Sequence, residues 1–218
     1  MNIPVNEVKR YLGAARIGEN SQLDLMIEKV IHELESRIIP HHIYRFFPLR
    51  FEENTFYVED TPFHSSALSR NLKGCTDVVM LACTLGPEAD RMVKRAEISS
   101  ILEAAVTQAA CSAMIEAYGN ELNQQIKDDA ASRNLYCRPR FSPGYGDLSL
   151  NTQRDFFRIL NITKELGITL NDSLLMVPTK SVTAFIGCSP VNQNCILNGC
   201  EECNMNTQCV YSRNGGSE

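Results

Sequence analysis

No run of apolar residues in this sequence approaches the ~18 needed to cross a bilayer. The opening stretch MNIPVNEVKRYLG has no apolar core of signal-peptide length. A cytoplasmic protein with no membrane partner is therefore expected. Positive charge is also short, since 21 Lys and Arg against 26 Asp and Glu leave a formal charge of −5 with no basic stripe to offset it. Without such a stripe little drives binding to a phosphate backbone, so nucleic acid is not an expected partner. Familiar catalytic signatures are missing too. The GYGD at 144–147 has neither the spacing nor the lysine of a phosphate loop, no GxGxxG follows a strand-like run, and there is no GxSxG elbow. The four histidines, His32, His41, His42 and His64, form no metal or triad spacing, and a structural role is expected for each.

Cysteine, by contrast, is plentiful, and its distribution matters more than its total of nine. Cys75, Cys83, Cys111 and Cys137 are scattered through apolar segments, where a thiol behaves as a small buried hydrophobe. Cys188, Cys195, Cys200, Cys203 and Cys209 crowd into one C-terminal stretch with little core material. A division into a domain over 1–187 and a cysteine-rich segment over 188–218 follows. The second part contains one Cys-x-x-Cys and enough thiolates for a tetrahedral zinc or an iron–sulfur cluster. Reduced thiols or adventitious disulfides are the alternative reading.

The first part has ample material for a core, with 44% apolar and 22% charged residues in the chain as a whole. Leu23, Met26, Ile27, Val30, Leu34 and Ile38 recur at three- and four-residue spacing, which predicts an amphipathic helix over 21–38, capped by Asn20 or Ser21 and stopped before Pro40. YRFFPLRFEENTFYVED reads as short strands turning at Glu52 to Asn54. The uninterrupted apolar run DVVMLACTL, from Asp77 to Leu85, reads as a strand buried on both faces. Gly86-Pro87 then starts a helix towards Ala96. The longest helical pattern runs from Ser99 to Ala130, and its alanines, Ala104, Ala105, Ala109, Ala110, Ala113 and Ala117, suit close approach of another backbone. Glu116 lies within the apolar part of that pattern. It reads either as an edge residue reaching solvent or as a carboxylate with a partner or a task. Further on, a helix is expected from Asn151 to Leu160, with a short turn ending at Gly167. SLLMVPTKSVTAFIG, two β-rich runs joined at Pro178-Thr179-Lys180, predicts a hairpin. Helices and strands interleave without βαβ regularity. The expected fold class is thus α+β: a single domain with a mixed or antiparallel sheet and a long central helix, plus the cysteine-rich C-terminal tail.

The stretch RFSPGYGD, Arg140 to Asp147, carries the candidate chemistry. Pro143 and Gly144 suit a type II turn, and by itself the stretch reads as an ordinary surface turn. A functional reading is also open. Arg140 presents a planar fork of donors matched to a carboxylate or phosphate. The turn exposes backbone groups beside Tyr145, which adds a flat face and a hydroxyl. Arg140, Phe141, Pro143, Gly144 and Tyr145 together could hold a small zwitterion bearing an aromatic base.

Arg140-Phe-Ser-Pro-Gly144-Tyr145 matches a motif of arginine, three residues, glycine and tyrosine. Through it the sequence resembles the activation domain of cobalamin-dependent methionine synthase, in the form that stands alone as a separate small protein. RYLG near the start, LACTLGPEAD at 81–90, SAMIEAYGNEL at 112–122, RFSPGYGDLSLNTQ at 140–153 and PTKSVTAFIG at 178–187 follow the family's order. The resemblance implies an S-adenosylmethionine site in which Arg140 meets the ligand's carboxylate, Gly144 and Tyr145 meet its adenosine, and Glu116 lies near the sulfonium. It also implies the activity: reductive methylation of inactive cob(II)alamin, restoring methylcobalamin on a separate cobalamin-dependent methionine synthase. The cobalamin would be carried by the partner's cobalamin-binding domain, and the electron supplied by a donor such as flavodoxin or ferredoxin. An iron–sulfur cluster in the tail would have a use in that chemistry. Activation of another corrinoid protein, and a non-catalytic metal-binding adaptor that keeps the fold, are the alternatives. The sequence departs from members fused into the full synthase in two places. They carry an acidic residue six positions before the arginine, where this chain has Asn134, and a tyrosine-bearing segment where it has the cysteine-rich tail.

Overall fold

The computed structural model describes residues 1, 3–14, 20–52 and 55–192. In chain order these form α1 (Val5–Tyr11), α2 (Ser21–Arg37), β1 (His41–Glu52), β2 (Thr55–Val58), β3 (Thr61–His64), α3 (Ser66–Asn71), β4 (Asp77–Thr84), α4 (Pro87–Ser99), α5 (Ile101–Ser132), β5 (Tyr136–Cys137), α6 (Gln153–Leu160), α7 (Ile162–Leu166), β6 (Thr169–Leu170), β7 (Met176–Val177) and β8 (Ser181–Ser189). The main sheet has six strands in the order β3-β2-β1-β4-β8-β5, every neighbouring pair antiparallel.

The composition of β4 decides the layering. Side chains alternate across a strand, so a strand apolar at every position needs cover on both sides. Val79, Leu81 and Cys83 enter a core shared with α2, α4 and α5, while Val78, Met80 and Ala82 enter a second core shared with α3, α6 and α7. The adjacent β8 divides likewise, Ile186 and Cys188 towards the first core and Phe185 towards the second. Phe185 makes ring contacts with Phe156 (4.6 Å between centroids), Phe63 (5.2 Å) and Phe56 (5.9 Å). Such aromatic pairs add about 0.5–1.5 kcal/mol each beyond their area burial.

The helices follow local rules. Asn20 caps α2 by accepting from the Leu23 N–H at 3.2 Å, and Ile27, Val30 and Leu34 form its buried stripe. Pro87 opens α4 after Gly86. α5, 32 residues long, spans roughly 48 Å at the α-helical rise, and buries Ala109, Ala110 and Ala113 in the first core. Its end is a Schellman motif. Leu135 N–H bonds to Ala130 O and Asn134 N–H to Ala131 O, each at 2.9 Å, with Asn134 left-handed at φ 59°.

The expected hairpin over 173–187 is not formed. β7 pairs with β6 in a separate two-stranded sheet, whereas β8 pairs with β4 on one edge and β5 on the other. With both edges of β8 occupied, no ladder remains for Met176 and Val177. The 178–180 segment instead meets the end of β4, where the Leu85 N–H donates to the Lys180 carbonyl at 2.9 Å. Cys188, grouped with the tail cysteines by sequence, belongs to the sheet, because β8 runs through it to Ser189 and its side chain is buried. No helix among the described residues is long and apolar enough to cross a membrane.

The left-handed cap predicts that Asn134→Ala loses about 1 kcal/mol, the penalty of a Cβ in that backbone conformation without asparagine's local hydrogen bonding. Asn134→Gly is expected to leave stability near wild type. Urea midpoints of the two variants check this.

Candidate functional site

The candidate site hangs from a single bridge. Phe141 and Phe185 exchange both backbone hydrogen bonds at 2.8 Å, so the chain enters RFSPGYGD as a continuation of the sheet beside β8. Phe141 packs into the second core, with its side chain half-buried. Arg140, its neighbour, reaches the other way, to α5. There its Nη2 donates to Glu116 Oε1 at 2.8 Å and to Asn120 Oδ1 at 2.9 Å. The pair is sheltered, the arginine side chain 17% exposed and the glutamate 33%.

Gly119 explains how a guanidinium can lie so close to a helix. A Cβ at that position would stand 2.1 Å from Arg140 Nη1. Glycine inside a helix costs about 1 kcal/mol relative to alanine, and here it yields its space to the arginine. Glu116 and Asn120 flank it at i−3 and i+1, so the three residues form a seat on one helical face. Beneath lies Cys83, whose thiol is pushed up to about 12, chiefly by burial, and so stays protonated. Tyr118, pushed up to about 12 by burial first, bonds to His42 Nδ1 at 2.7 Å.

After the bridge the chain makes the expected type II turn. Tyr145 N–H bonds to Ser142 O at 3.1 Å, with Gly144 at φ 86° in the third position. Pro143 is buried, while Gly144 and Tyr145 are exposed. Tyr145 sets its ring edge to Phe141 at 6.2 Å. Asp147 anchors the far end of the loop. Its carboxylate accepts from the Ser66 and Ala67 N–H groups at 2.7 and 3.1 Å and from the Ser65 hydroxyl, at the start of α3. Those donors, the Ser65 hydroxyl first, hold its pKa down at about 2.

Beside Arg140's seat runs a groove of about 450 Å³ lined by Pro4, Glu7, Ala113, Glu116, Ala117, Asn120, Glu121 and Gln124. The α5 residues among these follow i, i+3, i+4, i+7, i+8, i+11 spacing, one continuous strip of helix. Its size falls within the range of small-molecule sites, and three carboxylates line it.

Of the six ligand residues expected from sequence, Arg140 and Glu116 are in direct contact. Glu116 alone lines the groove, while Phe141 and Pro143 turn inward and support the turn. Gly119 and Asn120 were missed, although a glycine interrupting a long helical pattern was a visible signal. Lys180 was passed over as well. It is buried, donates through Nζ to Ser112 Oγ at 2.8 Å, and has its pKa lowered by that burial. Cys195, Cys200, Cys203 and Cys209 lie outside the described residues. Among the described residues no group of three or more His, Cys, Asp or Glu side chains could hold a metal ion.

The family model described as "Vitamin B12 dependent methionine synthase, activation domain" matches residues 67–206. Among solved structures, the chain is similar to the "MetH Reactivation Domain bound to AdoHcy", with a TM-score of 0.62 and 14% identity, over 88% of this chain and 78% of that one. Comparison with curated proteins found no match.

Two outcomes follow from this geometry. Gly119→Ala is expected to keep or raise the melting temperature, because alanine favours the helix and only the far end of a flexible side chain must give way. The same change displaces the Arg140 guanidinium, which a crystal structure of the variant would show. Asp147 contributes stability that is fully present above its ordinary value, near pH ~4, and is lost as pH falls towards about 2. Asp147→Asn is therefore expected to flatten the acid limb of the stability–pH curve across that window, as followed by circular dichroism.

Proposed function

The chain belongs to the vitamin B12 dependent methionine synthase activation-domain family, and on that premise we propose that it binds S-adenosylmethionine and supports reductive methylation of cob(II)alamin on a separate cobalamin-dependent methionine synthase. The observation that carries the proposal is the Arg140 guanidinium seated over Gly119 beside a groove lined by Glu7, Glu116 and Glu121. Two of its five N–H donors are used on Glu116 and Asn120 among the described residues. The others, on Nε and Nη1, can each donate to an amino-acid carboxylate, and a bidentate grip follows where the ligand takes over one Nη2 N–H from Glu116 or Asn120. The AdoHcy of the similar structure is what S-adenosylmethionine becomes on losing its methyl group.

The donor set suits that ligand at each end. Arg140 would hold the carboxylate, and the Gly144-Tyr145 turn would offer backbone groups and a ring to the adenine. Of the three carboxylates lining the groove, Glu7 pairs with Arg10 and Glu116 with Arg140, so the charge that favours a sulfonium cation rests chiefly on Glu121. Opposite charges about 4 Å apart interact by roughly 4 kcal/mol at the effective dielectric near a protein surface. One electron takes cob(II)alamin to cob(I)alamin, and methyl transfer from the sulfonium to that cobalt gives methylcobalamin and AdoHcy. The cobalt is the nucleophile, so this chain's residues need supply no general base. Their task is orientation, the kind of contribution made by a held near-attack geometry. The irreversible methyl transfer draws the unfavourable reduction forward.

Calorimetry with S-adenosylmethionine tests the ligand. Arg140→Ala is expected to weaken binding on the order of 10- to 100-fold, the loss of charge-assisted hydrogen bonds. Absence of wild-type binding, or unchanged binding in Arg140→Ala, would sink the site. A reactivation assay with purified methionine synthase in the cob(II)alamin state and reduced flavodoxin or ferredoxin tests the activity. Binding without reactivation there, but with reactivation of a different corrinoid methyltransferase, would reassign the partner.

A further inference from the structure

At the far edge of the sheet, Cys137 and Cys188 are register partners in the β5–β8 pair. The Arg138 N–H donates to the Gly187 carbonyl at 2.7 Å, which makes the neighbouring 137/188 position a non-hydrogen-bonded pair. Cα atoms at such positions stand about 4.5 Å apart with their side chains converging, inside the roughly 4.4–6.8 Å window that a disulfide spans. The two Sγ atoms are already 3.9 Å apart. Cys188 is buried, whereas Cys137, on a two-residue edge strand, is half-buried and reachable.

We propose that Cys137 and Cys188 form a reversible thiol–disulfide site, oxidised by low-molecular-weight disulfides of the glutathione class. The Cys137 thiolate attacks one sulfur of the oxidant, forming a mixed disulfide and releasing one thiolate, which takes up a proton. Cys188 then gives up its proton and its sulfur displaces the second glutathione from Cys137, closing the protein disulfide. Two protein thiols are oxidised, one oxidant disulfide is reduced to two thiols, and a reductant of the dithiol class reverses the exchange. The asymmetry of the pair supports this order. The hydrogen bond with Cys188 lowers the Cys137 thiol, while the same bond and burial raise that of Cys188, so the reachable sulfur is also the readier nucleophile. The closed bond would staple β5 to β8 three residues before Arg140. Together with the Phe141–Phe185 bridge it would fasten the strand that carries the arginine at both ends. This inference is independent of any bound ligand.

The test treats the full chain with oxidised glutathione, alkylates the remaining thiols and maps the linked peptides by mass spectrometry. The expected result is a peptide pair joined through Cys137 and Cys188, separated by dithiothreitol, with loss of Cys137 alkylation. In Cys188→Ala the reaction is expected to stop at a glutathione adduct on Cys137. Wild-type protein in which Cys137 stays alkylatable, keeps glutathione, or links to a cysteine of the C-terminal stretch overturns the proposal, and that outcome does not depend on how the variant folds.

Discussion

The two hydrogen bonds between Phe141 and Phe185 are the constraint from which the candidate site is built. Phe185 is immobilised by the rings of Phe56, Phe63 and Phe156 in the second core. Its backbone is therefore a rigid reference, and the bridge transmits that rigidity to the chain entering the glycine-tyrosine turn. Alternation then separates two tasks. Phe141 points into the second core and anchors, so Arg140 must point to the opposite face, where α5 runs. Asp147 closes the arrangement by capping α3, so the turn between them is held at both ends although its tip is exposed. A loop this short and this tied down suits recognition by fixed backbone groups better than by rearrangement.

The ion pair between Arg140 and Glu116 changes how the proposed ligand site has to be understood. The resemblance implies that the two residues meet different groups of one ligand, the arginine its carboxylate and the glutamate its sulfonium. In the structure they contact each other at 2.8 Å. These placements are compatible, because a guanidinium has donors on more than one edge. Glu116 and Asn120 occupy Nη2, and an incoming carboxylate would approach from another side. The pairing also has an energetic sense. A lone arginine at 17% exposure would bear an uncompensated desolvation cost, which Glu116 offsets while remaining on the wall of the groove. One carboxylate thus holds the arginine in its seat while lining the groove.

Elements governed by local periodicity were legible in the sequence. The α2 stripe, the doubly buried β4, the proline-started α4 and the type II turn at 142–145 each follow from residues within one short window. The failures arose where pairing was decided elsewhere. Nothing local in Met176 and Val177 tells that β8 has both edges taken, so a run that looks like half a hairpin pairs with Thr169 and Leu170 instead. Cys188 was grouped with the tail cysteines because clustering along the chain was the visible feature, whereas its burial depends on a strand that ends one residue later. Glu116 was singled out as a carboxylate within an apolar pattern, and its partner lies 24 residues further on, beyond any helical spacing. Gly119 was legible in principle, since a glycine amid long helical periodicity asks what approaches it.

Asn134 shows how one position can serve the fold while leaving charge adjustable. The Schellman ending of α5 requires a residue that accepts φ near 59°, which restricts the choice chiefly to Gly, Asn and Asp. Asparagine and aspartate are nearly the same size and both accept that conformation, so the acidic residue that the resemblance implies for fused synthases would meet the same backbone demand. The difference is therefore one of charge, located where the long helix hands the chain to β5 and, six residues later, to Arg140. The cap also keeps the chain in step. Leu135 must fold back over Ala130 for Tyr136 and Cys137 to meet β8 in register, and only in that register does Arg140 arrive above Gly119.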